Sequence, residues 1–107
     1  MYVRAARFED VDPARVEEDY KRFREMVRAG ERPEFMPEDV YETLRTNVRR
    51  MMSFVDRETG STLDLTFTDD ADSARRVHEA LDSLSPPEGS GRRSSVQTYE
   101  LMLDEQF

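Results

Sequence analysis

"FVDRETGSTLDLTF", residues 54–67, holds two apolar runs joined by a polar turn. After Gly60 the side chains alternate. Leu63, Leu65 and Phe67 point one way, and Thr62, Asp64, Thr66 and Thr68 the other. Arg57 to Ser61 supply the turn, with Gly60 taking the positive φ that a tight reversal favours. The stretch reads as a β-hairpin near the middle of the chain.

Outward from the hairpin, its first arm extends back through "NVRRMMSFVD" (47–56), with Met52 and Phe54 on one face and Met51 and Val55 on the other. Residues 2–8, "YVRAARF", have no strongly polar face and predict a strand covered on both sides. A last strand is expected in "SVQTYELML" (95–103). Between the first two strands, Asp12 and Pro13 open a helix that carries Val16, Tyr20, Phe23 and Val27 on one stripe and stops at Gly30. A short helix after Pro37 buries Val40, Tyr41 and Leu44. A longer one over 70–84 is capped by Asp70 and lined by Ala74, Val77, Leu81 and Leu84. Two prolines and several glycines and serines make 85–95 a connector.

The order β-α-(short α)-β-β-α-β is the split βαβ pattern, an α+β ferredoxin-like fold with a four-stranded antiparallel sheet. Its helices cover one sheet face. The other face, mixed and partly apolar, is a candidate surface for association with a second copy.

A chain of 107 residues fits one domain spanning 1–107. Its net charge of −8 opposes binding to nucleic acid phosphates, so no nucleic acid partner is expected. The absence of cysteine excludes disulfides, thiolate chemistry and Cys-ligated zinc or iron–sulfur centres. No run approaches the ~18 apolar residues of a membrane span, and the first ten residues have no apolar secretory core. No membrane partner and a cytoplasmic location are the resulting expectations.

The hairpin, the acidic helix start "TDDADSARRVHEAL" and the terminal "VQTYELML" together resemble the dimeric α+β-barrel superfamily, closest to antibiotic-biosynthesis-monooxygenase-like domains. The run Val55-Asp56-Arg57-Glu58-Thr59-Gly60 matches a hairpin common in that family. The resemblance implies a homodimer packed sheet to sheet, with a pocket between sheet and helices in each protomer. It implies a small apolar or aromatic ligand and an unassigned activity, or alternatively a cofactor-independent monooxygenase acting on an aromatic, polyketide-like substrate. The family's haem-cleaving branch uses an asparagine on the first strand, a tryptophan ending the third strand and a histidine on the last helix. Here the first strand offers Arg4, Ala6 or Arg7, Thr68 stands at the tryptophan position, and His78 alone matches. Haem cleavage is therefore not expected, and no cofactor is assigned.

Four residues are the candidates for the pocket. His78, the sole histidine, sits at the edge of a buried stripe, where a base or ligand and a plain boundary residue are the two readings, the plain one preferred. Asn47 and Arg49 open the second strand, where an amide and a guanidinium suit an oxyanion, although a solvated strand end accounts for them as well. Thr68 closes the third strand. Tyr20 is assigned to the core rather than to an aromatic pocket. Asp64 is expected to pair with Arg4, Arg49 or Arg50, since an unpaired buried carboxylate is costly. Asp69, Asp70 and Asp72 fit helix capping without any metal.

Overall fold

The computed structural model describes residues 1–85 and 91–107; the middle of the expected connector, residues 86–90, lies outside them. The elements are β1 (Tyr2–Glu9), α1 (Pro13–Ala29), α2 (Glu38–Asn47), β2 (Val48–Asp56), β3 (Ser61–Thr68), α3 (Ala71–Asp82) and β4 (Arg92–Glu100). The strands form one antiparallel sheet in the order β2-β3-β1-β4. Among the described residues this is an α+β architecture of four strands and three helices, consistent with a ferredoxin-like fold.

Local chemistry sets the boundaries. Asp12 is extended, and its side chain accepts from the Ala14 amide at 3.1 Å, with Pro13 in the first turn. Gly30 ends α1 at φ 71°, where its amide reaches the Met26 and Val27 carbonyls. Asp70 caps α3 by accepting from the Ser73 amide at 2.8 Å. In the hairpin turn Asp56 accepts from the Glu58 and Thr59 amides, and Gly60 has φ 71°. The Gly60 carbonyl then accepts from the Val11 amide at 3.0 Å, which ties the hairpin to the chain leaving β1.

Three boundaries differ from expectation. Asn47 ends α2 instead of opening β2, because its side-chain amide donates to the Thr43 carbonyl one turn back, at 2.8 Å. β4 begins at Arg92, three residues early, because Arg92 and Arg93 pair with Glu9 and Phe8 of β1. It ends at Glu100 because Tyr2, its partner there, is the first residue of β1. The Leu101 amide still reaches the Met1 carbonyl at 2.8 Å. Val27 is 53% exposed; the core cluster takes only Phe23 from α1, whose last turn projects past it.

The register decides which side chains share a face. Tyr2, Arg4, Ala6 and Phe8 align with Thr68, Thr66, Asp64 and Thr62. This is the helix side, since Tyr20 of α1 bonds Asp64 and His78 of α3 meets Arg4. Arg4, Thr62, Thr66 and Thr68 are buried there. Val3, Ala5, Leu63, Leu65 and Phe67 fall on the opposite side, with Met52 and Phe54 of β2 and Tyr99 of β4 in register beside them. The helices leave that side open, so β1 is not covered on both faces as its composition suggested. β3 is thus polar inward and apolar outward.

The apolar core lies among the helices instead. Met36, Val40, Leu44 and Val77 form it, with Phe23, Tyr41, Val48, Ala80, Leu81 and Leu84 packed around. Threonines separate this cluster from the open face. None of the helices among the described residues is long and apolar enough to cross a membrane.

Candidate functional site

The first candidate, His78, lies on the side of α3 that faces β1. Its Nδ1 accepts from Arg4 Nε at 3.2 Å. Arg4 is buried to 7% exposure, and α3 hands it the acceptor that its Nε needs. Burial, with Arg93 nearby, pulls the guanidinium below its ordinary range, opposed by Asp82 and Asp64. An Nδ1 that receives a hydrogen bond must present its lone pair, so in the neutral ring the proton sits on Nε2. His78 therefore offers a donor on its free side.

His78 borders a cleft of about 260 Å³ between α3 and one end of the sheet. Tyr2, Ala71, Ala74, Arg75, His78 and Thr98 line it, and its walls are mostly apolar. The end of β1 brings Tyr2, and the matching end of β4 brings Thr98. In the first two turns of α3 the small Ala71 and Ala74 border the cleft and leave room. Small residues on the helix thus make the space, and His78 and Arg75 give it polar edges.

The other three candidates are not in this cleft. Thr68 pairs with Tyr2 in register but is buried behind it, and its Oγ1 has no partner among the described residues. Asn47 lines a second groove, about 370 Å³, between α2 and α3, with Asp39, Thr43, Arg76 and Glu79. Its amide is committed to Thr43. Arg49 is the extra residue of a bulge in β2, and its Nε meets Asp69 at 2.7 Å on the surface. The fold separates the oxyanion pair proposed for Asn47 and Arg49 into two unrelated hydrogen-bonded residues.

Asp64 also departs from its expected role. It faces the helices, and its Oδ1 accepts from the Tyr20 hydroxyl at 2.7 Å, whereas no arginine forms an ion pair with it among the described residues. A hydroxyl donor suffices because Asp64 is half-buried and its carboxyl is pushed up by that burial, against the pull of Tyr20, Ser53 and Arg4. Tyr20 is raised in turn, first by burial and then by the charge of Asp64. Tyr20 therefore bridges α1 to the sheet through its ring tip and is not a plain core residue.

Among the described residues no group of three or more histidine, aspartate or glutamate side chains is placed to hold a metal ion. Sequence reasoning missed Tyr2, Arg75 and Thr98 as cleft residues. Nothing local marks them, since they meet only through the pairing of β1 with β4 and the docking of α3. The sequence matches no family model and none of the curated proteins with which it was compared.

Proposed function

We propose that the protein is a homodimer closed sheet to sheet, a dimeric α+β barrel of the antibiotic-biosynthesis-monooxygenase-like kind, whose α3 cleft holds a small aromatic ligand. The observation that carries the reading is the outward apolar face. Val3, Leu63, Leu65, Phe67, Met52 and Phe54 lie in register on one side of the sheet, opposite the side that α1 and α3 contact, and no helix among the described residues covers them. A continuous surface of this kind is costly in water and is relieved when a second copy packs on it. A stable pairing buries at least ~1,200 Å² in total.

The cleft supports binding more than oxygenation. An apolar slot edged by His78 and by Arg75 suits a planar ring bearing an oxygen acceptor. A cofactor-independent monooxygenase needs a base that takes the phenolic proton, and the Nδ1 lone pair of His78 is engaged by Arg4.

Three measurements separate these elements. Light scattering at micromolar concentration in moderate salt should give twice the 12.6 kDa chain mass, and a monomer would overturn the dimer. Titration with 1-naphthol should saturate, and Ala71→Trp, which fills the cleft from the exposed end of α3, should abolish the signal while leaving the dimer intact. Oxygen uptake with the same phenol should stay at the level of buffer alone.

A further inference from the structure

Arg4 carries a charge that the fold does not balance at close range. It is 7% exposed, and among the described residues no carboxylate stands at ion-pair distance from it. The two acidic groups whose charge favours it, Asp82 and Asp64, are engaged elsewhere. Asp82 meets Arg93 at 2.8 Å, and the positive charge of Arg93 itself acts against Arg4. Asp64 accepts from the Tyr20 hydroxyl. A guanidinium has five N–H groups, and the His78 ring accepts from one of them. A neutral acceptor satisfies a donor and leaves the charge. Buried cations are ordinarily paired with an anion, whereas this one meets an imidazole.

That charge stands directly behind the α3 cleft. Thr98 pairs with Arg4 across β4 and β1, Tyr2 lies two positions before it on the same face of β1, and His78 receives its Nε. All three line the cleft. Arg75 gives the cleft a second positive charge at its edge. Its link to Asp72, at 3.2 Å, joins two side chains that are both about two-thirds exposed, so it exchanges readily for another anion. Ala71, the first residue of α3, borders the cleft as well and brings the positive end of the helix to it. On a chain of net charge −8, an apolar slot is thus flanked by positive charge behind it and at its edge.

We infer that the α3 cleft takes an aromatic carboxylic acid in its ionised form, the ring against Ala71 and Ala74 and the carboxylate between Arg75 and His78, in the field of Arg4. This rests on the ligand reading above and names the chemical class of that ligand. Ligand pockets run from about 300 to 1,000 Å³, so a cleft of about 260 Å³ suits a single ring or a fused pair rather than a larger polycycle. A planar carboxylate matches a guanidinium through two parallel hydrogen bonds. A phosphate ester brings a second negative charge towards Asp69, Asp70 and Asp72 at the start of α3, and a monoanion meets less repulsion there.

The test compares three probes that share one ring system: 1-naphthol, uncharged at about pH 7, 1-naphthoate and 1-naphthyl phosphate. In calorimetric titration of the intact protein, 1-naphthoate should bind at least about tenfold more tightly than 1-naphthol. Arg75→Gln should weaken 1-naphthoate at least about fivefold and leave 1-naphthol unchanged, and Arg75→Lys should restore part of the loss. Arg75 is exposed, so neither change disturbs the core. Arg4 is read without replacing it: its Nε–H signal and the ring signals of His78 should shift in NMR spectra more with 1-naphthoate than with 1-naphthol. If neither 1-naphthol nor 1-naphthoate saturates, the ligand reading above fails. If 1-naphthol saturates and 1-naphthoate binds no more tightly, or if Arg75→Gln weakens both alike, this inference alone is overturned. Tighter binding of 1-naphthyl phosphate than of 1-naphthoate overturns the assignment to a carboxylate.

Discussion

The Tyr20–Asp64 contact joins a helix to a strand through two titratable groups, and each makes stability depend on pH. Burial raises the Asp64 carboxyl in the fold, so the folded chain holds this proton more tightly than the unfolded chain does. Its favourable contribution is complete below the unfolded carboxyl range and is lost as pH rises through the raised value. At neutral pH the charged form is a cost. Asp64→Asn keeps an acceptor for Tyr20 without the charge, so it should match or exceed the parent at pH 7 and lose that advantage towards pH 4, as read by urea denaturation. Tyr20→Phe should cost about 1–3 kcal/mol, because the carboxyl loses its donor. Tyr20 itself is raised, so its contribution persists at neutral pH and fades as alkali ionises it. A second residue-level test concerns His78. Removing it leaves the buried Arg4 Nε without its acceptor, and His78→Ala should lower stability by roughly 1–3 kcal/mol while the fold persists.

Helices and strands differ in how much of their placement could be read from the chain. α1 was legible at both ends because Asp12, Pro13 and Gly30 act on their immediate neighbours, and the hairpin was legible because Asp56 and Gly60 do the same. The alternation of β3 was legible too, but not which side faces the helices. Thr62, Thr66 and Thr68 are the buried set, and only the docking of α1 and α3 decides that. The candidate site was less legible for the same reason: Asn47 turned on a helix-end hydrogen bond and Arg49 on a bulge, neither of which a strand pattern predicts. Glycine positions give a further test at this scale. Gly30 has φ 71° with open space where a Cβ would stand, so Gly30→Ala should cost about 1 kcal/mol, from the backbone alone. Gly91 has φ 82°, and a Cβ there would overlap the Glu9 carbonyl and the Val11 side chain, so Gly91→Ala should cost clearly more. Thermal unfolding of the two variants side by side checks the order.

At the scale of the whole molecule, the outward face predicts how assembly responds to single changes. Leu65→Arg places a charge at the centre of the open face without touching the helix side, so it should yield a folded monomer of 12.6 kDa by light scattering, with the helical signal kept. Thr66→Val changes the inward neighbour and should leave the mass at that of a dimer. The threonine-lined interior of the sheet has one more consequence. A protomer whose central strand turns polar atoms inward gains little from them by excluding water, and in the proposed dimer the second copy is what would shield the apolar face of its sheet. In the proposed assembly, resistance to heat then becomes a collective property, because mass action links unfolding to dissociation. The melting temperature should climb as the protein is concentrated from about 1 to about 100 μM, and the Leu65→Arg chain should melt at one temperature throughout. For such a chain, dilution acts as a denaturant.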